Sequence, residues 1–295
     1  MKIEEVGKMQ PVDRFLYWIK ERHKVYKKKE AGKKKPWTDD EVLQTVFFTN
    51  PYRENDRVTK WFREHIREPL DYTPEVLFAT VAFRWFNKPD PTGMAMIEHG
   101  LQLKWNERKA VKVINKLTES GPVFTGAYMI KAGNGPRGCK VPNVCAAITN
   151  VWKKRKELVR ICLEENSMES FVKALAQFPH LGKFMSYEVA CDLRYTYLLE
   201  EASDIMTWAN PGPGAQRGIK RLNGLSVEWG VDKVTETECI EQMRTLLKIT
   251  QRKLKSLPPF EMREIEHSLC EWDKYERARL GTGRLKRKYD ARGEL

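Results

Sequence analysis

The sequence predicts a mainly α protein with few or no strands, and three observations carry that prediction. Apolar residues recur at helical spacing along most of the 295 residues. Alternating runs are scarce, Val123–Lys131 being the best short strand candidate. No segment repeats at a fixed period, which removes solenoids and propellers.

Residues 12–30 set Phe15, Leu16, Trp18, Ile19 and Val25 at helical spacing, then run into Lys27–Lys29 and Lys33–Lys35 before Pro36. Thr38 as N-cap and Glu41 three residues on form a capping-box signal for the next helix, which Asn50-Pro51 ends. Helices follow at 54–66, 74–86, 93–99, 106–119, 143–165 and 167–176. Pro74-Glu75 and Glu107 supply the proline and acid that favour a first turn. Beyond these come 183–199, a polar bend, 215–222, 235–254 and 258–278.

Charge narrows the partner. Lys and Arg number 53 against 40 Asp and Glu, a net +13, which favours a polyanion and above all nucleic acid. A solvated basic surface is the alternative. No run of 18 apolar residues occurs, and the opening MKIEEVGKMQ lacks the apolar stretch of a signal peptide, so a cytoplasmic location is expected. The six cysteines form no CxxC pair, and no histidine falls near Cys139 or Cys145. They read as reduced thiols, with no metal site and no cofactor expected.

Several motifs bear chemistry. Gly133-Asn-Gly-Pro-Arg-Gly138 matches GxGxxG, but Pro136 and Pro142 forbid the helix a dinucleotide fingerprint needs, leaving a loop with Arg137 as its charge. Phe178-Pro-His-Leu-Gly-Lys183, opening the helix that carries Ser186 and Tyr187, approaches the hairpin of helix-hairpin-helix DNA-binding proteins. Pro179 and Gly182 fill the proline and second-glycine positions, and His180 replaces the first glycine. Backbone amides in such a hairpin face a phosphate; an ordinary glycine-capped turn is the alternative. In glycosylases with that hairpin a catalytic aspartate follows by about twenty residues, where this chain has Asp204. The fold is therefore expected to be related to the helix-hairpin-helix DNA glycosylases.

Asn210-Pro-Gly212-Pro-Gly214-Ala-Gln-Arg217-Gly218 reads as a stiff turn presenting amides to an anion, with Lys220 and Arg221 beside it. Arg53, Asn55, Asp56 and Arg57 crowd a turn-to-helix junction, Arg53 and Arg57 sharing a helical face. Arg84, Trp85 and Asn87 form a second cluster at a helix end. Arginine clamps phosphate, asparagine reads a base edge and an aromatic ring stacks on an extruded base. An aromatic core wrapped by satisfied arginines is the alternative. On the last helix His267 precedes Cys270 by three residues, but nothing else suggests a Cys–His nucleophile, and ion pairing is its default. Lys274 there, and Arg284 and Lys286 in the Gly-interrupted tail, add DNA-binding charge.

In their order, these stretches resemble the α-glutamyl/putrescinyl-thymine pyrophosphorylases, or amino-acid:DNA transferases, of bacteriophages with hypermodified thymine. The same helical domain is also found with 5-hydroxymethyluracil DNA kinases. The resemblance rests on Arg53–Thr59, Phe83–Asn87, Gly126–Ile130, Gly182–Tyr187, Asp192-Leu193, Trp208, Gly212–Gly218 and Ile265–Tyr275, and covers residues 40–290. It implies a transferase acting on double-stranded DNA after a separate 5-hydroxymethyluracil DNA kinase, an amine displacing pyrophosphate from 5-(pyrophosphoryloxymethyl)uracil. The sequence holds no G-x-x-x-x-G-K-[ST] loop for the kinase step.

That reaction assigns roles to the residues read above. Arg53, Arg57, Arg84, Gly212, Gly214 and Arg217 would hold pyrophosphate. Asp204, or else Asp192, would take the amine's proton. Asn55, Asn87, Trp85 and Tyr187 would recognise the flipped base. Gly182, Lys183, Lys220, Arg221, Lys274, Arg284 and Lys286 would contact DNA. The domains are then a basic N-terminal helix and arm (1–37), a helical catalytic domain (38–278, with the hairpin near 178–190) and a basic tail (279–295). A glycosylase, or a non-catalytic DNA-binding module assisting a kinase, are the competing functions. The amine donor and any divalent ion stay open.

Overall fold

A computed structural model describes residues 3–127 and 140–282. The helices are α1 (Ile3–Gly7), α2 (Pro11–Glu30), α3 (Glu41–Thr45), α4 (Arg57–Phe62), α5 (Glu68–Leu70), α6 (Glu75–Phe86) and α7 (Met94–Glu98). They continue as α8 (Glu107–Thr118), α9 (Lys140–Glu165), α10 (Met168–Leu175), α11 (Gly182–Leu193), α12 (Pro213–Leu222), α13 (Glu236–Lys253) and α14 (Met262–Arg279). No β-strand occurs among the described residues, so the mainly α class holds. Nor is any helix there long and apolar enough to cross a membrane. The 133–138 glycine motif, Arg137, Arg284 and Lys286 lie outside the described residues.

Local chemistry moves several expected boundaries. Asp40, not Thr38, caps α3: its Oδ1 accepts the Leu43 N–H at 2.9 Å, while Thr38 Oγ1 donates to Glu21 at 2.7 Å. The expected helix from residue 54 begins only at Arg57, because Arg53–Asn55 form a 3₁₀ turn and Asp56 is extended (φ −77°, ψ 139°). Pro142 lies in the first turn of α9 rather than excluding it, since its missing N–H needs no helical partner there. The helix expected to reach residue 199 stops at Leu193, whose carbonyl accepts the Thr196 hydroxyl at 2.7 Å.

The chain forms two units, residues 1–56 with 206–295, and residues 57–205. In the second, α6 is the central element. All eleven residues from Val76 to Phe86 are buried, as expected of a helix apolar on every side. It packs on α9, α11 and the π-helical turn Arg63–Arg67, with Phe62, Ile66, Ala79 and Phe83 as one cluster.

In the first unit α14 is central and packs on α2, α12 and α13. Trp272 meets Phe15 edge-on at 5.8 Å, and the buried Asp40 accepts hydroxyls from Tyr17 (3.0 Å) and Tyr275 (2.7 Å). Gly214 and Gly218 let α12 lie against the backbone of α14. A Cβ on Gly218 would sit 2.7 Å from the Leu269 carbonyl oxygen, and one on Gly214 would overlap the Cys270 sulfur. Gly218→Ala is therefore expected to cost about 1–3 kcal/mol in urea unfolding. Unchanged stability would contradict this packing.

Candidate functional site

The densest arrangement of polar chemistry in the first unit lies where the 49–56 segment meets α14. Proline at 51 and the 3₁₀ turn fold that segment back on itself. Asp56 Oδ1 thereby accepts from the Asn50 backbone N–H (3.3 Å) and side-chain Nδ2 (3.0 Å). Asn50 Nδ2 also donates to the Asn55 carbonyl at 3.2 Å, while its buried Oδ1 has no partner among the described residues.

From α14, His267 Nε2 lies 2.7 Å from Thr49 Oγ1, and Glu271 accepts the Thr49 N–H at 2.9 Å. Burial pushes the Asp56 carboxyl above the usual carboxylate range, opposed by His267, the Asn50 donors and Arg53. Arg53, Asn55, Asp56 and His267 are each only partly buried. A carboxylate of raised pKa beside an imidazole and an unsatisfied amide oxygen can accept a proton and orient a polar substrate. In the sequence Asp56 stands only among the charges crowding the turn-to-helix junction, and ion pairing is the default for His267. Nothing in linear order joins the 49–56 segment to α14, so the sequence offered no signal for this pairing.

Elsewhere in this unit the glycine–proline turn proves to be the start of α12. Gly212, its N-cap, already faces an anion of the protein itself: its N–H donates to Glu266 Oε1 at 3.4 Å. Gly212 and Gly214 thus serve capping and close packing in place of the expected anion cradle. Arg217 and Arg221 donate through Nε to the buried Asp273, at 2.9 and 2.8 Å. Lys274 pairs with Glu271 at 3.3 Å and lies over the Phe48 ring. Lys220 is half-buried on α12. Burial pushes the Cys270 thiol up, with carboxylates around it adding to the effect, which disfavours a thiolate beside His267.

In the second unit Arg84 lies inside the protein. Its Nε and Nη2 hold both oxygens of Asp192, Nη2–Oδ1 at 2.9 Å, while Nη1 donates to Asn87 Oδ1 (2.7 Å) and Nη2 to Thr59 Oγ1 (3.1 Å). Arg84 is 2% exposed and Asp192 fully buried, so the guanidinium expected on pyrophosphate has its acceptors within the fold. Asn87 ends α6 in the left-handed conformation (φ 45°) and is buried, as are Trp85 and Tyr187. These three support the core in this structure instead of presenting a surface to a base. Arg57 is exposed at the start of α4, and it shares no helix with Arg53.

Asp204 caps a helix. Its carboxylate accepts the backbone N–H groups of Met168 (2.8 Å) and Glu169 (2.9 Å) at the start of α10 and the Ser167 hydroxyl (2.7 Å). Asp204→Ala is expected to lower stability by about 1 kcal/mol, the usual value of a cap, measured by thermal unfolding. A stability loss, with turnover kept at temperatures where the variant is folded, separates this role from proton transfer. The α10–α11 turn exposes Gly182 and Lys183. Gly182 (φ +55°) and His180 (φ +67°) both adopt left-handed backbone, and a Cβ on Gly182 would meet nothing within 4 Å. Conformation, not space, asks for glycine at 182.

With this geometry established, comparison with known proteins adds lineage. The family model described as "5-hmdU DNA kinase, helical domain" matches residues 10–284. The 5-hmdU DNA kinase of Bacillus phage SP10 is 30% identical over 289 residues, covering 88% of this chain and 44% of the relative. The chain thus spans less than half the length of that relative. No solved structure matches.

Proposed function

Because the chain belongs to the family of 5-hmdU DNA kinase helical domains, we propose that it is a DNA base-modifying transferase acting on the product of such a kinase. The substrate is double-stranded DNA carrying 5-(pyrophosphoryloxymethyl)uracil, and an amine, from an amino acid or a polyamine, displaces the pyrophosphate. The C–O bond at the exocyclic methylene breaks, a C–N bond forms, and pyrophosphate leaves with its electron pair. The attacking nitrogen passes one proton to a base. A phage origin and a site of action in the host cytoplasm accord with the relative's source.

The observation that carries this proposal is the Asp56 carboxylate, held by two Asn50 donors in a segment that Thr49 ties to His267, where burial raises the carboxyl above the usual range. We give Asp56 the role of proton acceptor, in place of Asp204 and Asp192, whose carboxylates cap α10 and hold Arg84. Arg53 supplies positive charge for the leaving group, and Asn55 with the unsatisfied Asn50 Oδ1 offers polar contacts to substrate. A glycosylase loses its leading carboxylate by the same reassignment.

The test incubates the protein with DNA containing 5-(pyrophosphoryloxymethyl)uracil and a pool of amino acids and polyamines, followed by nucleoside mass analysis. A new adduct with released pyrophosphate is the expected result, and it names the amine. Abasic sites would instead establish a glycosylase. The relative's greater length and its name as a kinase favour one second reading, a DNA-binding module serving a kinase. Unchanged nucleosides, together with faster phosphorylation when a 5-hmdU kinase is added, would establish that reading and overturn the transferase.

A further inference from the structure

Three arginines of the first unit converge on one carboxylate. Arg217 and Arg221, one turn apart on α12, and Arg277 on α14 each donate Nε to Asp273, at 2.9, 2.8 and 3.3 Å. Asp273 is fully buried, while the three arginine side chains are 37%, 11% and 26% exposed. A single Arg–carboxylate pair needs one guanidinium, and the strongest form is the two-pronged one that Arg84 makes with Asp192. Here every arginine approaches through its inner nitrogen alone. Their six Nη groups find no acceptor among the described residues, and none is buried without a partner. The cluster carries three positive charges against one negative, a local excess of two. Mutual repulsion among the guanidiniums is offset only in part by Asp273, so the group is poised for a second anion.

From this we infer that Arg217, Arg221 and Arg277 form a clamp for a backbone phosphate of DNA, with Asp273 as the buried post that aims their outer nitrogens. The chemistry is a tetrahedral phosphate oxyanion meeting fixed N–H forks. The neighbouring acids are otherwise engaged: Glu266 accepts the Gly212 N–H, Glu271 pairs with Lys274, and Glu276 pairs with Arg14 and Arg279. A phosphodiester in duplex DNA and free pyrophosphate share this chemistry. We assign the diester because the forks are spread along two helices beside the half-buried Lys220. The inference needs DNA as partner but not the transfer reaction.

The test uses the full chain and an unmodified DNA duplex, with binding followed by fluorescence anisotropy across a salt series. Arg217→Gln/Arg277→Gln keeps Arg221 on Asp273 and thermal unfolding checks its fold; Arg217→Lys, which keeps charge but removes the fork, is the second variant. Affinity for the double variant is expected to fall at least about tenfold near 0.1 M salt, and the log–log salt slope to flatten by about 0.9 per lost phosphate contact. Arg217→Lys should keep most of the slope while losing affinity. Wild-type affinity and slope in both folded variants would overturn the clamp and leave a solvated ion-pair cluster. Displacement of DNA by inorganic pyrophosphate from the wild type but not from the double variant would overturn the diester assignment in favour of pyrophosphate. Because the duplex holds no reactive base, failure here leaves the transferase proposal standing, and the reverse is equally true.

Discussion

Arg84→Met is expected to destabilise residues 57–205 by about 3–5 kcal/mol, the usual cost of orphaning one member of a buried ion pair. Asp192 lies fully inside the protein, and Arg84 is the guanidinium that grips both its oxygens. The same cation sits 5.0 Å from the Phe62 ring centroid and 5.6 Å from that of Phe83, with Asn87 and Thr59 completing its contacts. Methionine fills most of the volume but leaves a carboxylate in an apolar core, where it must ionise unpaired or take up a proton. Asp192→Asn should cost a similar amount, because it leaves the Arg84 cation buried without its counter-charge and sets an amide donor against one of its N–H groups. The double variant Arg84→Met/Asp192→Leu should recover most of the loss, since it removes the pair as a unit. Urea unfolding of the three variants measures the coupling. A stable Arg84→Met protein with lost turnover would restore this arginine to the pyrophosphate site.

The α class and most helix positions were legible because apolar periodicity and capping are local. The 74–86 run reads as helix from thirteen residues alone, and Asn106 caps α8 through the Lys109 N–H at 2.9 Å with no outside help. Chemistry was harder to read, because the same residue types serve core and site. Phe83-Arg84-Trp85-Phe86-Asn87 is as good a sequence for a base-reading cluster as for a satisfied core, and only burial decides between them. Gly214 and Gly218 posed the same ambiguity: glycine marks a close approach, but linear order hides whether phosphate or helix α14 comes close. Asp204 stood at the spacing of a catalytic aspartate, yet its donors at residues 167–169 lie 35–37 positions upstream. Long-range partners of this kind also build the Asp56 site, whose two halves are about 200 residues apart.

Asp56→Asn is expected to lower the transfer rate by about 10²–10⁴, the range for loss of a general base, with duplex binding intact. Asparagine keeps an Oδ1 for the two Asn50 donors, so the local fold has no cause to change. The pH dependence carries the sharper test. A base must be ionised to act, so the wild-type rate should fall as pH drops through the Asp56 pKa. Burial places that limb above the ordinary carboxylate range. His267 pulls in the opposite direction. His267→Gln should therefore move the limb to higher pH if Asp56 is the base, and abolish the limb if His267 is. Stability supplies the control. A carboxyl raised in the folded state favours folding most fully below its unfolded pKa of about 3.9, and that contribution is lost as pH rises through the folded value. At neutral pH, Asp56→Asn removes a partly desolvated charge, and its melting temperature should equal or exceed that of the wild type. The margin should close on acidification towards about pH 4. A variant that is slower, no less stable, and stripped of its acid limb would tie the chemistry to this carboxylate. A variant that melts early at neutral pH would make Asp56 a structural residue.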